Sequence, residues 1–155
     1  MKPIWIALAA GLMAAPAYAE SHAVDLTPTG DAAAGEGAFR QCVACHVVAT
    51  PEGETLAGRR AQTGPNLYQM VGRTAGTVEG FRYSDAMVAA GEAGLIWDEA
   101  SFVAYVQDPT GYLREVLDDS GARGQMDFRV RAEEDAVDLY AYLYSLSPPE
   151  EAATN

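Results

Sequence analysis

The chain has 155 residues, with 22 acidic and 10 basic side chains, and this length predicts one domain. A protein this acidic is a poor partner for nucleic acid or for an anionic membrane surface, because both carry negative charge. Two cysteines in an exported protein would ordinarily form a disulfide. Here they lie three positions apart and directly precede a histidine.

The N-terminus has the pattern of an export signal. Lys2 supplies the positive start, residues 4–15 are apolar, and Ala17-Tyr18-Ala19 is a small-x-small cleavage site. The apolar run of about a dozen residues is shorter than the roughly 20 that a spanning helix needs, which favours cleavage over an uncleaved anchor. We therefore predict a signal peptide over 1–19, cleavage after Ala19, and a periplasmic protein without a membrane span. What remains has nine arginines and no lysine, and its net charge is −13.

After cleavage, residues 20–30 are predicted to be a flexible lead-in. Asp31 is a suitable N-cap for a helix over 32–42, with Phe39 on its inner face. Gly35 and Gly37 weaken this helix intrinsically. They suit a place where another helix backbone crosses closely.

The rest of the chain predicts short helices joined by long loops, with no convincing strand pattern. Asp98 and Asp108-Pro109 mark two helix starts, and acidic residues followed by apolar residues at helical spacing make 133–146 the clearest helix. The predicted elements are a loop over 47–65, a helical turn over 67–72, helices over 83–90, 99–107, from 109 and over 133–146, and a loop over 118–125. We therefore predict an all-α domain over 31–147 and a disordered tail over 148–155. A large apolar cofactor would explain how such a chain forms a core.

Cys42, Cys45 and His46 form the attachment motif of a c-type haem, Cys-x-x-Cys-His. Two thiols one turn apart can bond to the two vinyl groups of the porphyrin, and the histidine then lies under the iron. The alternatives are an ordinary disulfide, a thioredoxin-like pair, which needs a preceding strand, and a zinc site, for which His22 is the only other histidine. One covalently bound haem c is the preferred interpretation.

The second axial ligand is expected to be a thioether, because the folded region has no second histidine, and sulfur raises the reduction potential. Met70, Met87 and Met126 are the candidates. Isolated methionines usually fill gaps in a core. Met126 is favoured because it lies in an irregular polar loop, where the backbone is free to place a sulfur opposite His46.

Together these features resemble the class I soluble cytochromes c, close to the bacterial cytochrome c2 group and to mitochondrial cytochrome c. The resemblance covers about residues 30–146. Its motifs after the cysteines are Gly64-Pro65-Asn66-Leu67, Val71-Gly72-Arg73, Gly80-Phe81-Arg82-Tyr83-Ser84-Asp85-Ala86, Trp97, Tyr105, Asp108-Pro109, Tyr112-Leu113, Met126-Asp127-Phe128 and Leu139-Tyr140-Ala141-Tyr142-Leu143. It implies the class I cytochrome c fold, with short helices and long loops wrapped around one haem c.

The resemblance also implies roles for individual residues. Met126 becomes the axial sulfur, and the carbonyl of Pro65 accepts the other ring N–H of His46. The remaining roles are haem-propionate hydrogen bonds from Tyr83 and Trp97 with Arg73 nearby, haem packing by Tyr105 and Phe128, and contact of Gly35 and Phe39 with Leu139 and Tyr142.

Three departures from the family pattern stand out. Gly124 and Gln125 occupy positions where relatives close to mitochondrial cytochrome c carry threonine and lysine. Met87 replaces a common asparagine near Tyr105. The lysines that many relatives use for docking are absent, and Arg123, Arg129 and Arg131 flank Met126 instead. The longer loops at 47–63 and 114–122 resemble insertions in larger bacterial members.

The implied function is one-electron transport by a monomeric periplasmic carrier that is not an enzyme. The implied donor is a quinol–cytochrome c oxidoreductase or a periplasmic dehydrogenase, and the implied acceptor is a cytochrome oxidase or a reaction centre. We also expect the three arginines to form a positive patch for an acidic partner surface. One rival is a haem enzyme or gas sensor with an open iron. The other is a tightly held subunit of one dehydrogenase complex.

Overall fold

The computed structural model describes residues 24–149. The predicted signal and residues 150–155 of the predicted tail lie outside the described residues, and the predicted domain boundaries stay predictions. The elements are α1 (Ala32–Phe39), β1 (Val47–Ala49), β2 (Thr55–Gly58), α2 (Asp85–Glu92), α3 (Glu99–Gln107), α4 (Pro109–Leu117) and α5 (Glu133–Leu146). Five helices with little strand confirm the predicted all-α architecture.

Side-chain caps determine where four of the helices begin. The Asp31 carboxylate accepts the N–H groups of Ala33 and Ala34 at the start of α1, and Asp98 forms a capping box with Ser101 at the start of α3. Asp108 precedes Pro109 in α4. Ser84 caps α2, so this helix begins two residues later than predicted. α3 and α5 have the predicted bounds.

α1 ends at Phe39, three residues earlier than predicted. The chain continues in tighter turns, because the N–H groups of Gln41 and Cys42 donate to carbonyls three residues back. The helical turn predicted over 67–72 is instead a series of irregular turns, since Gln69 has a φ of 50°, which no α-helix contains.

The predicted loop over 47–65 contains a small hairpin, which the sequence analysis did not anticipate. β1 and β2 pair antiparallel, with an irregularity between Val48 and Ala49. Strands of three and four residues are too short to give a readable alternation of polar and apolar residues. Val48 is fully buried and anchors the hairpin in the core.

α1 crosses α5 at close range, as its glycines suggested. A Cβ at Gly35 would collide with the backbone carbonyl of Asp138 and lie 2.8 Å from Cβ of Tyr142. The rings of Phe39 and Tyr142 pack with their centroids 5.6 Å apart. A Cβ at Gly37 would meet nothing within 4 Å, so the close-crossing explanation holds for Gly35 alone.

The described part of the lead-in, residues 24–30, is hydrogen-bonded to the helices, and the flexibility expected for 20–30 stays a prediction. Thr29 donates its backbone N–H and its hydroxyl to the two carboxylate oxygens of Glu99, each at 2.7 Å. The Tyr140 hydroxyl donates to the carbonyl of Leu26 at 3.1 Å. These partners lie far along the chain, so a local sequence pattern does not reveal them.

The core draws on all five helices, and several of its most deeply buried side chains lie in α4 and α5. Leu113, Leu139, Tyr140 and Leu143 are at most 2% exposed. Burial, followed by nearby carboxylates, raises the pKa of Tyr140. Within residues 24–149, none of the helices has both the length and the apolar character needed to cross a membrane.

Candidate cofactor site

The two cysteines and His46 lie on one turn that directly follows α1. The N–H groups of Cys45 and His46 both donate to the Cys42 carbonyl, at 3.0 and 2.9 Å. Both thiols are free and partly buried. Burial, with a smaller contribution from Cys45, raises the pKa of Cys42 to about 11. The Cys42 thiol therefore stays protonated at neutral pH, and the two thiols lie on one short turn.

This geometry weakens the alternatives that the sequence left open. A helix precedes the cysteines, whereas the thioredoxin-like arrangement needs a strand. Among residues 24–149, no group of three or more His, Cys, Asp or Glu side chains is placed to hold a metal ion. The zinc interpretation therefore lacks the ligands it needs among these residues.

The ring of His46 is oriented by the chain around residues 64 and 65. Its Nδ1 lies 2.9 Å from the carbonyl oxygen of Pro65, and because a carbonyl only accepts, Nδ1 carries the proton. This is the hydrogen bond that the resemblance implied. It leaves the lone pair of Nε2 free for a metal. Burial lowers the pKa of His46, against the opposing effect of the Pro65 bond, and so favours the neutral form that binds metals.

Gly64 contributes to the same arrangement by having no side chain. Its N–H donates to the Cys45 carbonyl at 2.7 Å. A Cβ at this position would lie 2.7 Å from Nδ1 and 2.8 Å from Nε2 of His46. No sequence pattern indicated this role for Gly64. A glycine directly before the proline whose carbonyl accepts from His46 is a usable sequence signal.

Asn66 also supports the site, and no sequence pattern indicated this role. Its amide accepts from Ala49 N–H at 3.0 Å and donates to Ala49 C=O at 2.7 Å. It therefore pairs with β1 as a neighbouring strand would. The hairpin, Asn66 and Pro65 form a continuous support beside His46.

Arg73 and Trp97, distant in sequence, are brought together by a short antiparallel pairing. Trp97 N–H donates to Arg73 C=O at 3.0 Å, and Gly72 N–H donates to Trp97 C=O at 2.9 Å. The Arg73 guanidinium donates to the carbonyls of Tyr68 and Asn66, at 2.9 and 3.3 Å. Two of its five N–H groups are thus used to hold the 66–68 loop. Burial lowers the pKa of Arg73, and the phenol of Tyr83 opposes this.

Three aromatic residues predicted for the site form one group beside Arg73. The Trp97 and Tyr105 rings lie 5.0 Å apart, and Trp97 is 7% exposed. Burial, followed by the charge of Tyr83, raises the pKa of Tyr105 to about 12. Burial also raises the pKa of Tyr83, and Arg73 partly offsets this. Arg73, Tyr83, Trp97 and Tyr105 therefore share one partly buried region.

The three candidate methionines occupy different environments. Met70 and Met87 are 3% and 6% exposed and belong to the core. Met126 is only partly buried and lies in the irregular segment between α4 and α5. That segment is anchored by the Val130 N–H, which donates to the Val106 carbonyl at 2.8 Å. Phe128, predicted to pack on the haem, is 42% exposed, and its role stays a prediction.

The chemistry of this donor set fits a c-type haem. Two free thiols stand on one turn, and the imidazole beside them is neutral, oriented and free at Nε2. A partly exposed thioether and a group of aromatic and hydroxyl side chains complete the candidate set.

Comparison with known proteins agrees with this assignment. No family model matches the chain. Cytochrome c2 of Rhodovulum adriaticum is 66% identical over 123 residues, which cover 79% of this chain and 98% of that protein. Cytochrome c-551 of Roseobacter denitrificans is 46% identical over 146 residues, covering 94% and 96%. The crystal structure of cytochrome c2 from Rhodobacter sphaeroides matches with a TM-score of 0.75 and 51% identity, over 77% of this chain and 99% of that one.

The structural match confirms the predicted class I cytochrome c fold, and the sequence matches place Cys42 and Cys45 in a protein family that attaches haem through two thiols. With such identity over nearly the whole length of a relative, the chain belongs to the cytochrome c2 group of the class I c-type cytochromes, electron carriers with one covalently bound haem c.

Proposed function

We propose that the protein is a periplasmic one-electron carrier whose haem iron is ligated by His46 and Met126, and that it is not an enzyme. The observation that carries this proposal is the hydrogen bond between His46 Nδ1 and Pro65 O at 2.9 Å, which prepares Nε2 as an axial ligand. The haem supplies a one-electron couple when it is bound. His46 and Met126 would together hold the iron, and a substrate would then find no free place on the metal.

Met126 is proposed as the second ligand because it differs from the other two methionines in its surroundings. Met70 and Met87 are already buried among core side chains. Met126 lies in a segment without helical constraint, so its sulfur can be placed without breaking a helix.

The residues around Arg73 are proposed to hold and enclose the haem. Tyr83 and Trp97 would donate hydrogen bonds to a propionate, with Arg73 as the nearby cation. Tyr105 and Phe128 would pack against the ring on the side of Met126. The close grouping of Arg73, Tyr83, Trp97 and Tyr105 supports these roles.

The proposed partners are membrane redox complexes. The donor would be a quinol–cytochrome c oxidoreductase or a periplasmic dehydrogenase, and the acceptor a cytochrome oxidase or a reaction centre. Arg123, Arg129 and Arg131 are exposed and are proposed to attract an acidic surface of the partner. Arg129 also binds Asp108 at 2.7 Å, so part of its charge is already offset. Electron-transfer rates should fall with ionic strength, and flat or rising rates would contradict the patch.

The ligation is tested on ferric holoprotein matured in a periplasm, by its absorption spectrum. A weak near-red sulfur-to-iron band is expected. Met126→Ala should abolish the band, whereas Met70→Leu and Met87→Leu should keep it. A high-spin spectrum without the band in the parent protein would mean an open iron, and would favour an enzyme or sensor.

The oligomeric state separates a free carrier from a fixed subunit. Size-exclusion chromatography of a native extract should place the protein at the size of a monomer. Elution together with a dehydrogenase would support the subunit alternative.

A further inference from the structure

An open cavity of about 580 Å³ lies between the start of α2 and the loop that follows α4. Its lining includes the guanidinium-bearing residues Arg82 and Arg123 and the hydroxyl-bearing residues Tyr83 and Ser84. The carboxylates of Asp85 and Asp119 also line it. Two guanidinium groups and two carboxylates therefore line the cavity, and the charge of Arg73 also acts on Tyr83 at its edge.

Both walls of the cavity are fixed by hydrogen bonds. On one side, Ser84 caps α2 by accepting the Met87 N–H at 3.2 Å. On the other, the carbonyl of Ala122 accepts from Arg114 Nε at 3.1 Å, and the N–H of Gly124 donates to the Thr110 hydroxyl at 3.3 Å. Arg123 therefore stands between two residues that are tethered to α4, and its backbone has little freedom to move away from the cavity.

The guanidinium and hydroxyl groups that line the cavity suit the polar edge of a haem. A haem carries its two carboxylates on one edge, while the rest of its perimeter is apolar. Carboxylates bind guanidinium and hydroxyl groups through charge-assisted hydrogen bonds. Tyr83 links the cavity to the group formed with Arg73, Trp97 and Tyr105, so the cavity adjoins the proposed haem pocket.

We propose that Arg123, supported by Arg82, binds the carboxylate edge of the haem at this cavity. The proposal rests on the proposed function, since it requires a haem in the pocket. The positive charge of Arg123 then disfavours the ferric state, which carries one more positive charge than the ferrous state. Its guanidinium raises the reduction potential in addition to any contribution to docking.

The test is an equilibrium redox titration of the holoprotein at constant pH and low ionic strength. Arg123→Gln should shift the ferric-to-ferrous ratio toward ferric by roughly threefold, or about 28 mV at 59 mV per decade. Arg82→Gln should give a smaller shift of the same sign, and Arg123→Lys should stay near the parent. Arg59→Gln is the matched control, because it removes the same charge from an exposed residue outside the cavity.

The competing outcomes are distinct. An Arg123→Gln shift no larger than that of Arg59→Gln would overturn the proposal. If Arg123→Gln does not mature, the same comparison is made with Arg82→Gln. A parent potential that depends on phosphate concentration at constant ionic strength, with the dependence lost in Arg123→Gln, would assign the arginines to a free anion and also overturn it. Absence of the near-red band from the spectrum of the parent protein would instead refute the proposed ligation by Met126, independently of the arginines.

Discussion

Gly64 lets the chain lie directly against the imidazole of His46, and a single methyl group tests this contact. We expect Gly64→Ala to destabilise the holoprotein by about 1–3 kcal/mol, because the new Cβ would overlap the ring and force the loop or the ligand to move. The near-red band should weaken or shift with it. Denaturant unfolding followed by absorption measures both effects.

Gly124→Ala is the control for this prediction. It is also a loop glycine, but a Cβ there would make ordinary contacts of 3.4 Å with Leu113 and Thr110. Its stability should change by about 0.5 kcal/mol or less. Equal losses in the two variants would show that the ring contact at Gly64 is not the cause.

Ionisation of Tyr105 at alkaline pH should destabilise the folded protein. Burial raises its pKa to about 12, whereas an unfolded tyrosine titrates near about 10. The folded state therefore holds the phenol proton more tightly, and the resulting stability is complete below about pH 10 and is lost as pH rises toward about 12.

Tyr105→Phe should remove this dependence. The free energy of unfolding of the parent should fall by roughly 1–2 kcal/mol more than that of the variant between about pH 9.5 and 12. Unfolding curves at several pH values measure it. Parallel losses in the two proteins would assign the alkaline weakness to other groups.

At the scale of elements, the crossing of α1 and α5 depends on one glycine of a pair. Gly35→Ala should destabilise the fold by about 2–4 kcal/mol, because the colliding atom belongs to the α5 backbone and cannot rotate away. Gly37→Ala, two residues further along the same helix, should stabilise the fold by about 0.5–1 kcal/mol, because a Cβ there meets nothing. Thermal unfolding of both variants provides the comparison, and two effects of the same sign would contradict it.

The helices were predictable because their boundaries are local. The caps Asp98 and Asp108-Pro109, and the acidic first turn of α5, determine their helix starts within a few residues of sequence. The hairpin and the Asn66 pairing were not predictable, because both depend on partners across a loop. The same holds for the contact between Thr29 and Glu99, seventy positions apart.

The candidate site likewise has one part that the sequence predicted and another part that it did not. The thiols, His46 and the Pro65 hydrogen bond followed from a motif and a family resemblance. The cavity with Arg82 and Arg123 required the structure, because the two arginines lie on segments that only the packing of α2 near α4 brings together.

At the scale of the whole molecule, the absence of lysine after residue 2 removes one class of competing iron ligand. A lysine amine becomes a strong nitrogen donor once it loses its proton near pH 10, whereas arginine keeps its charge. We expect the near-red band to persist to higher pH than in a variant that carries a lysine beside Met126. Gln125→Lys supplies that variant, and a pH titration of the band measures the difference. Identical titrations would show that side-chain amines do not determine the alkaline limit.

The contact between α1 and α5 also determines when the native fold can form. A chain that is delivered across a membrane from its N-terminus presents Cys42 and Cys45 long before α5 emerges. Until then α1 has no partner to pack against, and the native crossing cannot close. For the proposed periplasmic carrier, the thiols would therefore belong for a time to an unfolded chain, and both would then be accessible for haem attachment.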